Sequence, residues 1–363
     1  MENLIVTNKK TAAAAASRML VPTPAANRTP AKAPPRRKCN AVTAHKRGLR
    51  SAPRPTLPTL AEAFEFDDTR SNEVARVVSG VSQMRLPNPR QLLGMSELYQ
   101  TMLVGQQLRG GRQIGMALFD PTGVGKTTIA EALAQGVNAR APKGEKPIVH
   151  CRLANAGTAR SLFVSALTEI GYGYVNQKTE QRLQRELVDA LEEHNTKLLV
   201  IDESQHGGRN SGFGGAVTAA IKLLLDTGVV PVALLGTEKA VDVFANDLEL
   251  SGRLSAPCSL APFSWWDSED RELWTGLMSA LDRQLVADSI VTKPFGFDDP
   301  KFAEKLIEAT NGTMGQLMGM VRTAVQEMAR DGRSSLTEAD VVHAVDAWCV
   351  AHGFAARNPF RTA

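Results

Sequence analysis

Residues 114–128, IGMALFDPTGVGKTT, constrain this chain more than any other stretch. An apolar run of strand length, 114–119, meets a turn and a Gly-Val-Gly-Lys-Thr-Thr cluster. Residues 129–137 follow with the apolar spacing of a helix. Strand, glycine-rich turn and helix form the setting in which backbone N–H groups converge on a phosphate, a P-loop. Gly123 and Gly125 carry no Cβ to block that approach, and Thr122, Val124 and Thr128 complete the backbone cradle. The ammonium of Lys126 is suited to the β- and γ-phosphates of a nucleotide, and the hydroxyl of Thr127 to Mg²⁺. One position departs from the GxxxxGK[ST] pattern, because Asp120 stands where the first glycine is expected. A carboxylate there would repel phosphate if it pointed inward, although Asp suits a turn.

A second half to this constellation lies roughly 75 residues downstream, in KLLVIDESQH. The aliphatic run before Asp202 predicts a buried parallel strand that delivers Asp202 and Glu203 to its carboxyl end, beside the P-loop. Alone, such a strand is more often a plain one ending in a solvated acid pair. Following a P-loop, it assigns Asp202 to Mg²⁺ and Glu203 to the attacking water. Further strands are expected at 148–153, 229–235 and 258–263, with helices between them. Thr237, just past the 229–235 strand, is positioned for the γ-phosphate or the water, or is an ordinary strand-end threonine. Arg253, just before the 258–263 run, could enter a neighbouring subunit's site, and read alone is a surface arginine. From Trp265 onward the pattern is helical.

Charge divides the 363 residues unevenly. Residues 1–60 hold 12 Lys and Arg against one acidic residue, Glu2, while the whole chain carries +4. That segment is also rich in Pro and Ala and poor in large apolar residues, so it is expected to be disordered. An arm that meets nucleic acid, an inert tail and a targeting segment are all compatible with it. No apolar run approaches the ~20 residues needed to cross a bilayer. The four cysteines are scattered without metal-site spacing, which fits a reducing, cytoplasmic setting.

Taken in order, these motifs resemble AAA+ ATPases and, more narrowly, the TniB/TnsC group of transposition ATPases. FDPTGVGKTT, KLLVIDESQH, LLGTEKA and LSGRLSAPCSLAPF carry the resemblance. It implies an α/β fold: a P-loop core with a parallel five-stranded sheet flanked by helices, a helical lid and the basic arm. The corresponding boundaries are 1–60 for the arm, 61–263 for the core with its N-terminal helices, 264–355 for the lid and 356–363 for a tail. It implies an ATPase using ATP and Mg²⁺, with Thr237 as first sensor and Arg253 as arginine finger. The arginine usual in a lid-helix GxxR is missing after Gly315, where Gln316, Leu317 and Met318 follow, with Arg322 one turn on as a substitute.

Partners implied by the resemblance are sequence-nonspecific duplex DNA, a transposase, a TniQ-like target selector and further copies of the chain in a hexameric ring or helical filament. Candidate DNA contacts are Arg160, Lys178, Thr179 and Arg182, whose bland alternative is a solvated helix face. A helicase loader of the DnaC/IstB type and a protein-binding switch without DNA are the competing functions.

Overall fold

The computed structural model describes residues 68–154, 157–173, 178–208, 214–244 and 247–361. The basic segment expected to be disordered lies outside them.

Four parallel strands form the central sheet: β1 (Met116–Phe119), β2 (Ile148–Arg152), β3 (Leu198–Asp202) and β4 (Val232–Gly236), in the spatial order β1-β4-β3-β2. Every residue of β3 and β4 is buried, as expected of strands covered on both faces. The two-residue period of a strand divides their side chains between two cores. Leu198, Val200, Ala233 and Leu235 join one core with α2 (Pro89–Gln107) and α3 (Lys126–Asn138). Leu199, Ile201, Val232 and Leu234 join the other with α4 (Ala159–Ile170), α5 (Glu180–Glu193) and α6 (Gly214–Asp226).

Caps explain where several of these helices begin. Asn88 accepts the Arg90 N–H before Pro89 at the start of α2. Thr158 and Ser161 form a capping box at α4, and Thr179 caps α5. Two short helices come after β4, α7 (Lys239–Phe244) and α8 (Leu248–Ser251). Asp247 starts the second by accepting the Leu250 N–H.

The sheet has four strands, which corrects the expectation of five. Among the described residues the 258–263 run forms no ladder, and the bridge nearest to it is Gly115 to Leu254. Pro257 and Pro262 have no N–H to give a ladder. The Leu260 N–H goes instead to a side chain, Asp120 Oδ2, at 2.8 Å, and the Ser259 hydroxyl donates to Asp120 Oδ1 at 2.7 Å.

The lid consists of α9 (Ser268–Ala287), α10 (Pro300–Thr310), α11 (Met314–Arg330) and α12 (Glu338–Ala344), which runs on into a π-helical turn, Val345–Val350. Its core also takes in α1 (Asp68–Gln83), through Val77 and Val81. Val74, Val77, Val78 and Val81 fall on one face at helical spacing, and that face meets the lid. The lid is therefore discontinuous in sequence. Arg90 fastens it to α2: its guanidinium pairs with buried Asp270, donates to the carbonyls of Ala261 and Pro262, and lies 4.5 Å over the Phe263 ring. Inside the lid, buried Asp282 accepts the backbone N–H groups of Phe295, Gly296 and Phe297.

Asp340 closes the capping box of α12 and takes both arms of the Arg333 guanidinium at 2.6 and 2.7 Å. Burial alone would push its carboxyl up, but Arg333 and the Thr337 donors outweigh it and hold the pKa below the usual 3.8. A carboxyl depressed in the folded state stabilises above its unfolded pKa, and that contribution fades as pH falls through the folded value. Asp340→Ala is expected to lose about 2 kcal/mol in urea denaturation at neutral pH. The gap between variant and unaltered chain should narrow once the pH drops below about 4.

Candidate active site

The carboxyl ends of β1, β3 and β4 meet at one cavity, which the loop between β1 and α3 closes. Gly123 and Gly125 adopt φ of +92° and +103°, the left-handed conformation that favours glycine. Gly125 is the N-cap of α3 and provides no side-chain cap, so the first N–H groups of the helix stay open to an anion. Lys126 is buried, and its Nζ donates to the carbonyls of Asp120 at 2.6 Å and Pro121 at 2.8 Å. Burial lowers its pKa from the usual 10.5, against the pull of the Asp120, Asp202 and Glu203 carboxylates. Val124 contributes backbone alone, since its side chain is in the α2–α3 core and its carbonyl accepts the Gln91 amide at 2.9 Å.

Across the cavity, the Thr127 hydroxyl donates to Asp202 Oδ2 at 2.7 Å. Asp202 Oδ1 accepts the Glu203 N–H at 2.8 Å, and His150 Nε2 lies 3.5 Å from Oδ2. Burial pushes the Asp202 carboxyl up, yet the His150 ring, the Thr127 hydroxyl and that N–H together hold it below the usual 3.8. A hydroxyl and an ionised carboxylate in contact are hard oxygen donors suited to Mg²⁺. Glu203 itself has φ +58°, a strained setting for a residue with a side chain, so the backbone turns sharply as β3 ends. Its carboxylate and Thr237 line the same cavity, together with Thr122, Thr128, Gln205 and Gly236. The Thr237 hydroxyl oxygen is buried with no hydrogen-bond partner among the described residues. An orphaned donor, uncapped helix N–H groups, a buried ammonium and a hard-oxygen pair fit a magnesium nucleotide triphosphate.

The cavity shares Gly123, Gly125, Thr128 and Gly315 with an adjoining slot. Val81, Met84, Arg85, Leu86 and Gln91 form one wall of that slot, and Met314, Met318 and Arg322 of α11 the other. None of the first wall's residues stands out in the sequence, because that wall depends on how α1 and α2 pack. Arg322 borders this slot with its guanidinium 5.2 Å from the Trp348 ring centre. Gln316 meets the P-loop directly, with its oxygen buried beside Gly123 and without a hydrogen-bond partner among the described residues.

Not every predicted residue gathers here. Arg253 is at the opposite end of β1 from the P-loop, where its carbonyl accepts the Gly115 N–H at 2.8 Å. Its guanidinium is paired with Asp226 at 2.9 and 3.2 Å. The four DNA candidates cluster at the starts of α4 and α5, outside the cavity. Arg160 donates to the Lys178 carbonyl, Lys178 pairs with Glu186, Thr179 caps α5 and Arg182 is exposed.

Residues 95–264 match the family model described as the bacterial TniB protein. No curated protein matches the sequence. Among solved structures, ORC2 of Aeropyrum pernix, in ADPNP and ADP complexes, aligns with a TM-score of 0.55 and 17% identity over 75% of this chain and 70% of that one. Cdc6p of Pyrobaculum aerophilum gives 0.54 and 15% over 74% and 70%. ORC1 of Aeropyrum pernix in complex with DNA gives 0.53 and 15% over 74% and 66%. At these identities the likeness is one of fold.

Asp120 does not face the phosphate cradle, since both of its oxygens are bound to the 259–260 backbone and hydroxyl. Asp120→Gly, which restores the usual loop glycine, is therefore expected to leave ATP affinity unimproved in calorimetric titration. It should instead lower stability by about 1–3 kcal/mol, the cost of leaving the buried Leu260 N–H unpaired.

Proposed function

We propose that this chain, a TniB-type AAA+ ATPase, hydrolyses ATP to time its assembly on duplex DNA during transposition. The observation that carries the ATPase reading is the 2.7 Å bond from Thr127 to Asp202, which joins the P-loop to the end of β3 beside Lys126 and Glu203. In this reading the P-loop N–H groups and Lys126 bind the β- and γ-phosphates, and the adjoining slot takes the base. Thr127 and Asp202 hold Mg²⁺, which when bound neutralises charge on the phosphates. Glu203 accepts a proton from the water that attacks the γ-phosphorus, the bond to the β-phosphate oxygen breaks, and ADP leaves with its electrons. Thr237 steadies that water or the terminal phosphate.

Arg253 completes the site of a neighbouring copy, which makes ring or filament assembly depend on ATP and makes hydrolysis a release step. Its distance along β1 from its own P-loop supports a role in trans. Arg182, Lys178, Thr179 and Arg160 contact phosphates of duplex DNA without reading its sequence. The assembled protein links a TniQ-like target selector to a transposase in the cytoplasm. The TniB match supports this last part, and among structures of the same fold ORC1 of Aeropyrum pernix was solved with DNA.

Anisotropy with random-sequence duplex DNA tests the proposal, using no nucleotide, ADP or a non-hydrolysable ATP analogue. Binding is expected with the analogue alone, to be lost in Lys126→Ala, and to weaken with salt by about 0.9 log units per phosphate contacted. ATP binding with no DNA association in any state would leave a protein-only switch. Arg253→Ala is expected to bind ATP normally and to hydrolyse it on the order of 10³-fold more slowly.

A further inference from the structure

Between Glu203 and Thr237 the structure holds a side chain with no part in the scheme above. Gln205, on the 3₁₀ turn Ser204–Gly208, lines the same cavity as both residues. Its amide oxygen accepts the Thr237 backbone N–H at 3.0 Å, and its amide nitrogen donates to Glu203 Oε2. The chemistry of the two neighbours fixes this orientation. A backbone N–H can only donate, so the amide oxygen must face Thr237, and the NH₂ is left for the carboxylate.

The surroundings are shaped to the same end. The Ser204 hydroxyl bonds the Ile201 carbonyl at 3.0 Å, and the His206 N–H bonds the Glu203 carbonyl at 3.0 Å, so the base of the turn is fixed to β3. A Cβ on Gly236 would lie 3.1 Å from the Gln205 amide oxygen and 3.0 Å from the Ala240 Cβ, so the bare backbone there makes room for the amide. Glu203 is otherwise poorly held, with 44% of its side chain exposed on a left-handed backbone. Gln205 and, at 3.5 Å, His206 meet its Oε2 alone. Oε1 has no partner among the described residues.

We propose that Gln205 is the positioning residue for the Glu203 carboxylate. It anchors Oε2 to the end of β4, so that Oε1 is presented to the attacking water, and it locks that arrangement to the strand that carries Thr237. The inference rests on the proposed ATPase reading and adds a residue to it. A group acting this way lowers the barrier without contributing to nucleotide affinity, so its loss should appear in kcat and not in KM.

The test is steady-state ATP hydrolysis by the full chain on duplex DNA, over a range of pH. Gln205→Ala should lower kcat by about tenfold or more while KM for ATP stays within roughly twofold. Gln205→Glu keeps the shape and the Thr237 bond but sets a second carboxylate against Glu203. It should be impaired at neutral pH and recover part of its rate toward acid, where the pair shares a proton. The other charged groups facing this pair are His206, Lys126 and Asp202, with Glu238 beside Thr237. They are common to all the proteins compared, so the difference in profile reports the new carboxylate. Unaltered hydrolysis no faster than in Lys126→Ala would overturn both the ATPase reading and this inference. Hydrolysis that needs Lys126 but is as fast or faster in Gln205→Ala would overturn the inference alone, and would make Gln205 a restraint on the base.

Discussion

The lid rests on the P-loop through bare backbone. The Gly315 N–H donates to the Gly123 carbonyl at 2.7 Å, and a Cβ on Gly315 would approach Gly123 Cα to 2.8 Å. Two glycines, one in the loop and one at the start of α11, are therefore required by the same contact. Because no side chain intervenes, any shift in the loop is felt at once by the N-terminal turn of the lid helix. The slot walled by Met314, Met318 and Arg322 takes its shape from this seat, as does the burial of the Gln316 amide against Gly123. The side chain that reaches the loop from this turn is a neutral amide, Gln316, and not a charged group.

Around that seat, charge is managed by hydrogen bonds more than by ion pairs. Lys126 is solvated by two carbonyls of its own loop, and Asp202 by a hydroxyl and an N–H. Buried charge is tolerable only when so satisfied. Asp120 shows the same economy in a position where sequence suggested conflict. By taking the Leu260 N–H and the Ser259 hydroxyl, it ties the start of the P-loop to the segment that leads into the lid. Arg90 holds the next residues of that segment from the other side. The connection between sheet and lid is thereby clamped at both of its flanks.

The P-loop, the Asp202–Glu203 pair and the helical lid were legible in the sequence because each is written in a contiguous run. Strand length, glycine spacing and helical periodicity are local properties, and four of the five expected strands appear close to where they were drawn. What was not legible depends on long-range packing. The 258–263 run has the composition of a strand, but Asp120, far upstream, claims the N–H that a ladder would need. The valine face of α1 reads as amphipathic, yet nothing local says that its partner is the lid. Gln205 follows the acid pair with nothing in the local sequence to aim its amide, and only the end of β4 gives it a direction. Arg253 was visible as an arginine before a strand, while its partner Asp226 was not.

The discontinuity of the lid has a structural consequence. Residues 1–67 enter the described part of the chain through α1, and α1 packs into the lid core through Val77 and Val81. The first described helix is therefore carried by the lid core, and the two cores on the sheet take in none of its residues. Arg76 of α1 donates to the Ser289 carbonyl at 2.9 Å, and Val81 of the same helix lines the slot beside the P-loop. One wall of that slot and the first described helix are thus the same packed element.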